Sequence, residues 1–135
     1  MRRAVLADAG PLYAAADPDD AHHHRAQREL KRLARDKREV FVAYPTLAEA
    51  YTLVLRRLGK QTATQWLNDV VTGTAVLNPT PEDYHAAIKA LSSFPDQAIS
   101  LFDATVAAMG NRLGVEIWTY DHHFDIMQAP VWHAE

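Results

Sequence analysis

The chain has 135 residues, 48% hydrophobic and 23% charged, with 14 Lys+Arg against 17 Asp+Glu and a formal net charge of −3. That composition excludes disorder, collagen-like repeats and coiled coil, and it suits one globular domain over residues 1–135. The charge argues against coating nucleic acid electrostatically. The absence of cysteine excludes disulfides, thiolate zinc sites and thiol nucleophiles, and points to a reducing cytoplasm.

Residues 3–8 hold the short apolar run Ala4-Val5-Leu6-Ala7 and close on Ala9-Gly10-Pro11, which predicts a strand feeding a turn. Asp8 also interrupts any secretory h-region there. A short helix is expected over 11–16 and a longer one over 22–37, with Ala26, Leu30, Leu33 and Ala34 as its apolar stripe. Residues 39–44 are β-branched and aromatic, as a buried strand requires. Helices follow over 45–58, closed by Gly59, and over 62–71, then a short strand over 74–77. Pro81 opens a helix at its first position. The helix over 101–113 turns Phe102, Val106, Met109 and Leu113 to one face and stops at Gly114. A strand over 115–120 and a last one over 129–132 complete the set. No apolar run approaches the ~20 residues of a membrane span.

Strands alternating with helices predict an α/β/α fold of three layers around a mostly parallel sheet of about five strands. Such sheets place their sites beyond the carboxyl ends of the strands. Asp8 ends the first strand, Glu49 lies one turn into the helix after the second, Asp103 opens the helix before the last long strand, and Asp121 follows that strand. Asp125 comes one step later, and Asp96 seven residues before Asp103. Each acid has an ordinary reading. Thr46–Glu49, Ser100–Asp103 and Thr80–Asp83 all match the capping box, and a carboxylate at a helix N-terminus gains about 0.3–1 kcal/mol from the macrodipole. The set weighs more than its members. Crowded like charges are costly unless a cation sits among them, and carboxylate oxygens are what hard divalent ions prefer. Four convergent acids therefore suggest Mg²⁺ or Mn²⁺, activating water and stabilising charge on a phosphodiester displaced in line.

The chain resembles PIN-domain proteins, and more narrowly the VapC-type ribonuclease toxins of toxin–antitoxin pairs. The residues carrying this are Asp8-Ala9-Gly10-Pro11-Leu12, Pro45-Thr46-Leu47-Ala48-Glu49-Ala50, Asp96 through Asp103-Ala104, and Thr119-Tyr120-Asp121-His122-His123-Phe124-Asp125. The resemblance implies a Mg²⁺-dependent endoribonuclease with Asp8, Glu49, Asp103 and Asp121 as its acidic quartet, and Asp8, Asp103 and Asp121 on the metal. It places Asp125 in an outer role, and Thr119 and Ser100 as hydroxyls that orient ligands or water. It also implies an RNA substrate, a cognate antitoxin and a homodimer.

Consecutive histidines cannot face one ion from a helix surface, so His22-His23-His24 and His122-His123 are read as solvated or turn residues rather than a zinc site, with His122 or His123, beside Asp121, as an alternative contact to substrate phosphate. Residues 25–38 carry seven basic and two acidic side chains. They form either a solvated helix face or a surface for phosphates or an antitoxin. Arg56, Arg57 and Lys60 suit the negative end of the Glu49 helix. Leu12, Tyr13, Leu53, Leu58 and Trp66 are candidates for a dimer face or an antitoxin groove. A PIN-like binding module without nuclease activity is the main alternative. A receiver-like phosphoacceptor is disfavoured, because Leu77-Asn78-Pro79 supplies no Asp after the third strand.

Overall fold

The computed structural model describes residues 3–134. Strands β1 (Ala4–Ala7), β2 (Glu39–Ala43), β3 (Ala75–Leu77) and β4 (Glu116–Trp118) form one parallel sheet in the order β3-β2-β1-β4. Between them run α1 (Ala9–Ala16), α2 (His23–Arg35), α3 (Tyr44–Leu58), α4 (Lys60–Gly73), α5 (Pro81–Ser92), α6 (Leu101–Leu113) and the short α7 (His123–Ile126).

Because strand side chains alternate, the sheet builds two cores. Val5, Ala7, Val42 and Trp118 pack against α1 to α4 through Leu12, Leu33, Leu47, Val54 and Trp66. Leu6, Phe41 and Ile117 pack on the opposite side against Val106 and Met109 of α6 and Phe124 of α7. The strands are thus covered on both faces, which is why they read as continuous apolar runs. Each fully buried Leu, Ile or Phe stabilises by about 1.5–3 kcal/mol. Gly59, at φ 91, turns α3 into α4, and Gly114, at φ 68, stops α6.

The sheet has four strands among the described residues rather than about five. The predicted strand over 129–132 is reduced to a single parallel bridge between Val131 and Ile117. The Ile117 amide donates to Pro130 O and the Trp132 amide to Ile117 O, both at 2.8 Å. Pro130 itself has no N–H with which to extend a ladder. Three local expectations also change. Helix α3 starts at Tyr44, directly after β2, so Thr46 is no cap but a core residue at 1% exposure. Ala34 is exposed, and the inner face of α2 is instead Ala26, Glu29 and Leu33. Phe102 is 41% exposed, because the first turn of α6 buries Asp103 and Ala104 in its place.

Candidate metal centre

The chain runs outward from β1 through β2 to β3, then returns to add β4 on the other side of β1. Connections therefore leave β1 and β4 in opposite directions, and open parallel sheets form their ligand crevice at such a reversal. Asp8 directly follows β1, and Thr119 and Asp121 follow β4. The Asp8 amide still donates to Trp118 O at 2.9 Å, so the ladder continues to the crevice floor.

Thr119 joins the two acids. Its hydroxyl donates to Asp8 Oδ2 at 2.9 Å and accepts from the Asp121 amide at 3.0 Å. Ser100 caps α6, its Oγ accepting from the Asp103 amide at 3.0 Å, which holds Asp103 in the first turn. Asp121 Oδ1 accepts in turn from the His123 amide at 2.9 Å. Glu49 projects from α3, half-buried. All four acids, with Ser100, line one cleft of about 670 Å³.

Their protonation records how closely they sit. Burial pushes the Asp8 carboxyl up, against the lowering hydrogen bonds from Thr119 and Ala9, and the Asp121 charge adds to the rise. Burial and then the Asp8 charge raise Glu49. Asp103 is pushed up to about 8 by burial first, then by Asp8, Asp121 and Glu49. Asp121 is partly buried, which opposes ionisation, but hydrogen bonds from Asp103 and the His123 amide hold it below the usual carboxylate value. The two carboxyls thus shift in opposite directions, as neighbours that repel when both are charged do. A donor set of crowded carboxylate oxygens fits a hard divalent cation such as Mg²⁺ or Mn²⁺.

The histidines need a correction. His122 lies just before α7, off the helix surface, and its ring centroid is 4.5 Å from that of His123. Asp121, His122 and His123 bring donor atoms within 4.8 Å of one another, so consecutive histidines do converge here. By contrast, Asp125 and Asp96 are exposed and line no part of the cleft. His23 is structural, its Nδ1 2.8 Å from Ala14 O.

Several cleft residues carry no signal in the sequence. Arg57 reaches the cleft with its guanidinium 5.0 Å from the Tyr13 ring centroid, rather than serving only its helix terminus. Tyr120 lines the cleft beside His22, with ring centroids 5.0 Å apart. Behind it, Glu29 is buried, and its Oε1 accepts from Trp118 Nε1 at 2.9 Å and from Tyr120 OH at 2.5 Å. Of the apolar candidates, Tyr13 and Leu53 belong to this cleft. Leu12 and Trp66 line a separate groove of about 700 Å³, together with Leu30, Val40 and Val70. Leu58 packs against the core.

A parallel sheet with an acidic crevice at its reversal defines the class, and the family model agrees. The PIN domain model matches residues 5–129, so the chain belongs to the PIN domain family. Among solved structures it is similar to Mycobacterium tuberculosis VapC20, described as a Sarcin–Ricin loop cleaving toxin. The TM-score is 0.84 at 23% identity, covering 97% of this chain and 100% of that one. It is also similar to VapBC2 from Rickettsia felis bound to a promoter DNA fragment, with TM-score 0.76, 12% identity and 96% of each chain covered. FitAcB from Neisseria gonorrhoeae gives a TM-score of 0.69 at 16% identity, again over 96% of each chain. At these identities the likeness is one of fold. No curated protein matches the chain in sequence. The strand order also differs from the receiver-type order 2-1-3-4-5, which removes the phosphoacceptor reading.

Proposed function

We propose that this chain is a Mg²⁺-dependent endoribonuclease, with Mn²⁺ able to replace Mg²⁺, acting as the toxin of a toxin–antitoxin pair. The observation that carries this reading is the convergence of Asp8, Glu49, Asp103 and Asp121 in one cleft at the sheet reversal. Membership of the PIN family supports it, as does the likeness to a relative described as a Sarcin–Ricin loop cleaving toxin. In this reading Asp8, Asp103 and Asp121 hold the ion. A divalent ion there supplies water activation and offsets the charge developing on a phosphodiester.

The protein's own residues do the rest. Glu49, raised by burial and by Asp8, is the carboxylate placed to take a proton from the attacking water. Thr119 keeps Asp8 and Asp121 at a fixed separation, and Ser100 fixes the start of α6. Arg57 and His22, on the rim, meet phosphates flanking the scissile bond. Asp125 has no part in this assignment, since it lies off the cleft. A cognate antitoxin, a homodimeric assembly and a cytoplasmic setting belong to the same reading.

The test is cleavage of labelled RNA in Mg²⁺, with and without EDTA, by the wild type and by Asp8→Asn. The proposal expects cleavage only by the wild type and only without chelator. Cleavage that survives EDTA or Asp8→Asn contradicts it. Absence of both cleavage and Mn²⁺ binding favours the binding-module alternative.

A further inference from the structure

The basic side chains of α2 do not simply project into solvent. Arg25, Arg28, Lys31, Arg32 and Arg35, closed off by His133, line a groove of about 680 Å³. Among the described residues Glu29 is the one carboxylate in that lining, and it is buried and occupied by Trp118 and Tyr120. Arg25 spends part of its charge on Glu29, at 3.3 Å, and Arg32 pairs with Asp36 at 2.9 Å. Arg28 and Lys31 are exposed and form no ion pair among the described residues. Among the described residues the lining is therefore net positive, and Arg28 and Lys31 lie one helical turn apart.

The groove is joined to the acidic cleft. The Arg25 guanidinium lies 4.2 Å from the Tyr120 ring centroid, and Tyr120 lines the cleft on its other side. Glu29 locks that wall by accepting from Tyr120 and Trp118. A polyanion bound in the groove is thus led past Arg25 and His22 toward Asp121. From Arg25 to Arg35 the helix runs about 15 Å, long enough to follow a backbone beyond the reacting phosphate.

We infer that this groove is a second RNA-binding surface, gripping the phosphate backbone of the substrate outside the catalytic cleft; the inference rests on the endoribonuclease reading for its ligand. An acidic peptide is the competing occupant, and the lining disfavours it. Peptide segments dock through apolar anchors, and the groove offers no large apolar side chain. Such anchors line the separate groove around Trp66 instead.

The test is fluorescence anisotropy of labelled single-stranded RNA across a salt series, in an Asp8→Asn background so that the RNA stays intact. The variant is Arg28→Gln with Lys31→Gln, and the charge control is Arg56→Gln with Lys60→Gln. Loss of two phosphate contacts lowers the slope of log K against log salt by about 1.4, and weakens binding on the order of 25-fold at about 0.1 M salt. The control should change affinity by less than about threefold, because distant charges are screened. Equal losses in variant and control, or no loss in the variant, overturn the groove. So does polyglutamate that displaces the RNA at equal charge concentration. RNA that binds through the groove yet is not cut by the unmutated protein in Mn²⁺ supports the groove and removes the nuclease reading. RNA cut by the Arg28/Lys31 variant with an unchanged KM overturns the groove and leaves the nuclease reading standing.

Discussion

Replacing Asp103 by Asn should stabilise the metal-free protein at alkaline pH. The folded Asp103 carboxyl keeps its proton to about 8, whereas its ordinary value is 3.8. An acid raised in the folded state contributes full stability below its unfolded value, and that contribution is lost as pH rises through the folded one. A rise of this size corresponds to about 6 kcal/mol at 1.36 kcal/mol per pH unit. The cleft is open to water, which screens the interaction, and Asp121 is shifted the opposite way, so about 2 kcal/mol is the working figure. Asn keeps a donor for Asp121 and removes the charge. For a chain of this length each kcal/mol moves Tm by about 3–5 °C, so the variant should melt about 6–10 °C higher near pH 9. The gap should narrow steadily from about pH 8 towards the unfolded value of 3.8, as the unfolded carboxyl takes up its proton too. Calorimetry or circular dichroism in EDTA measures this. Mn²⁺ should then reverse the ranking, because an ion at 100 times its Kd adds about 2.7 kcal/mol to the protein that binds it. An Asn variant that melts at or below the wild type near pH 9 in EDTA refutes the repulsion on which the metal centre rests.

Thr119→Val removes the hydroxyl between Asp8 and Asp121, and Mn²⁺ affinity measured by titration should fall about 10–100-fold, with Thr119→Ser restoring it. Glu29→Ala leaves the buried Trp118 indole N–H without its acceptor and should cost about 2–3 kcal/mol in urea unfolding. Gly110→Ala places a methyl 2.5 Å from Ile117 Cδ1 and should destabilise by about 1–3 kcal/mol. Adding Ile117→Val, which deletes that carbon, should recover part of the loss in a double-mutant cycle.

The acidic quartet was legible because a parallel sheet delivers strand ends and helix starts to one edge. Asp8, Glu49, Asp103 and Asp121 occupy those positions in the linear order. Thr80–Asp83 shows where the same local pattern is only structural. It forms the full capping box, and Asp83 also pairs with Arg112 at 2.9 Å. Thr46–Glu49 matched that pattern too, but burial of Thr46 in the core moved the helix start to Tyr44. Glu29 was illegible. In sequence it is one more charge among Arg28, Lys31 and Arg32, and its partners Trp118 and Tyr120 lie 89 and 91 positions away. Arg57 was hidden likewise, because only the packing of α1 on α3 brings it to Tyr13. The convergence of His122 and His123 depended on where α7 begins, which a four-residue helix does not announce.

The chemistry of the product ends tests most directly whether the carboxylate cluster carries the reaction. RNA incubated with the wild type in Mg²⁺ should be recovered with 5′-phosphate and 3′-hydroxyl ends, as attack by an activated water with the 3′ oxygen leaving gives. Recovery of 2′,3′-cyclic phosphates and 5′-hydroxyls, formed equally well in EDTA, would contradict a carboxylate-held ion as the agent of cleavage.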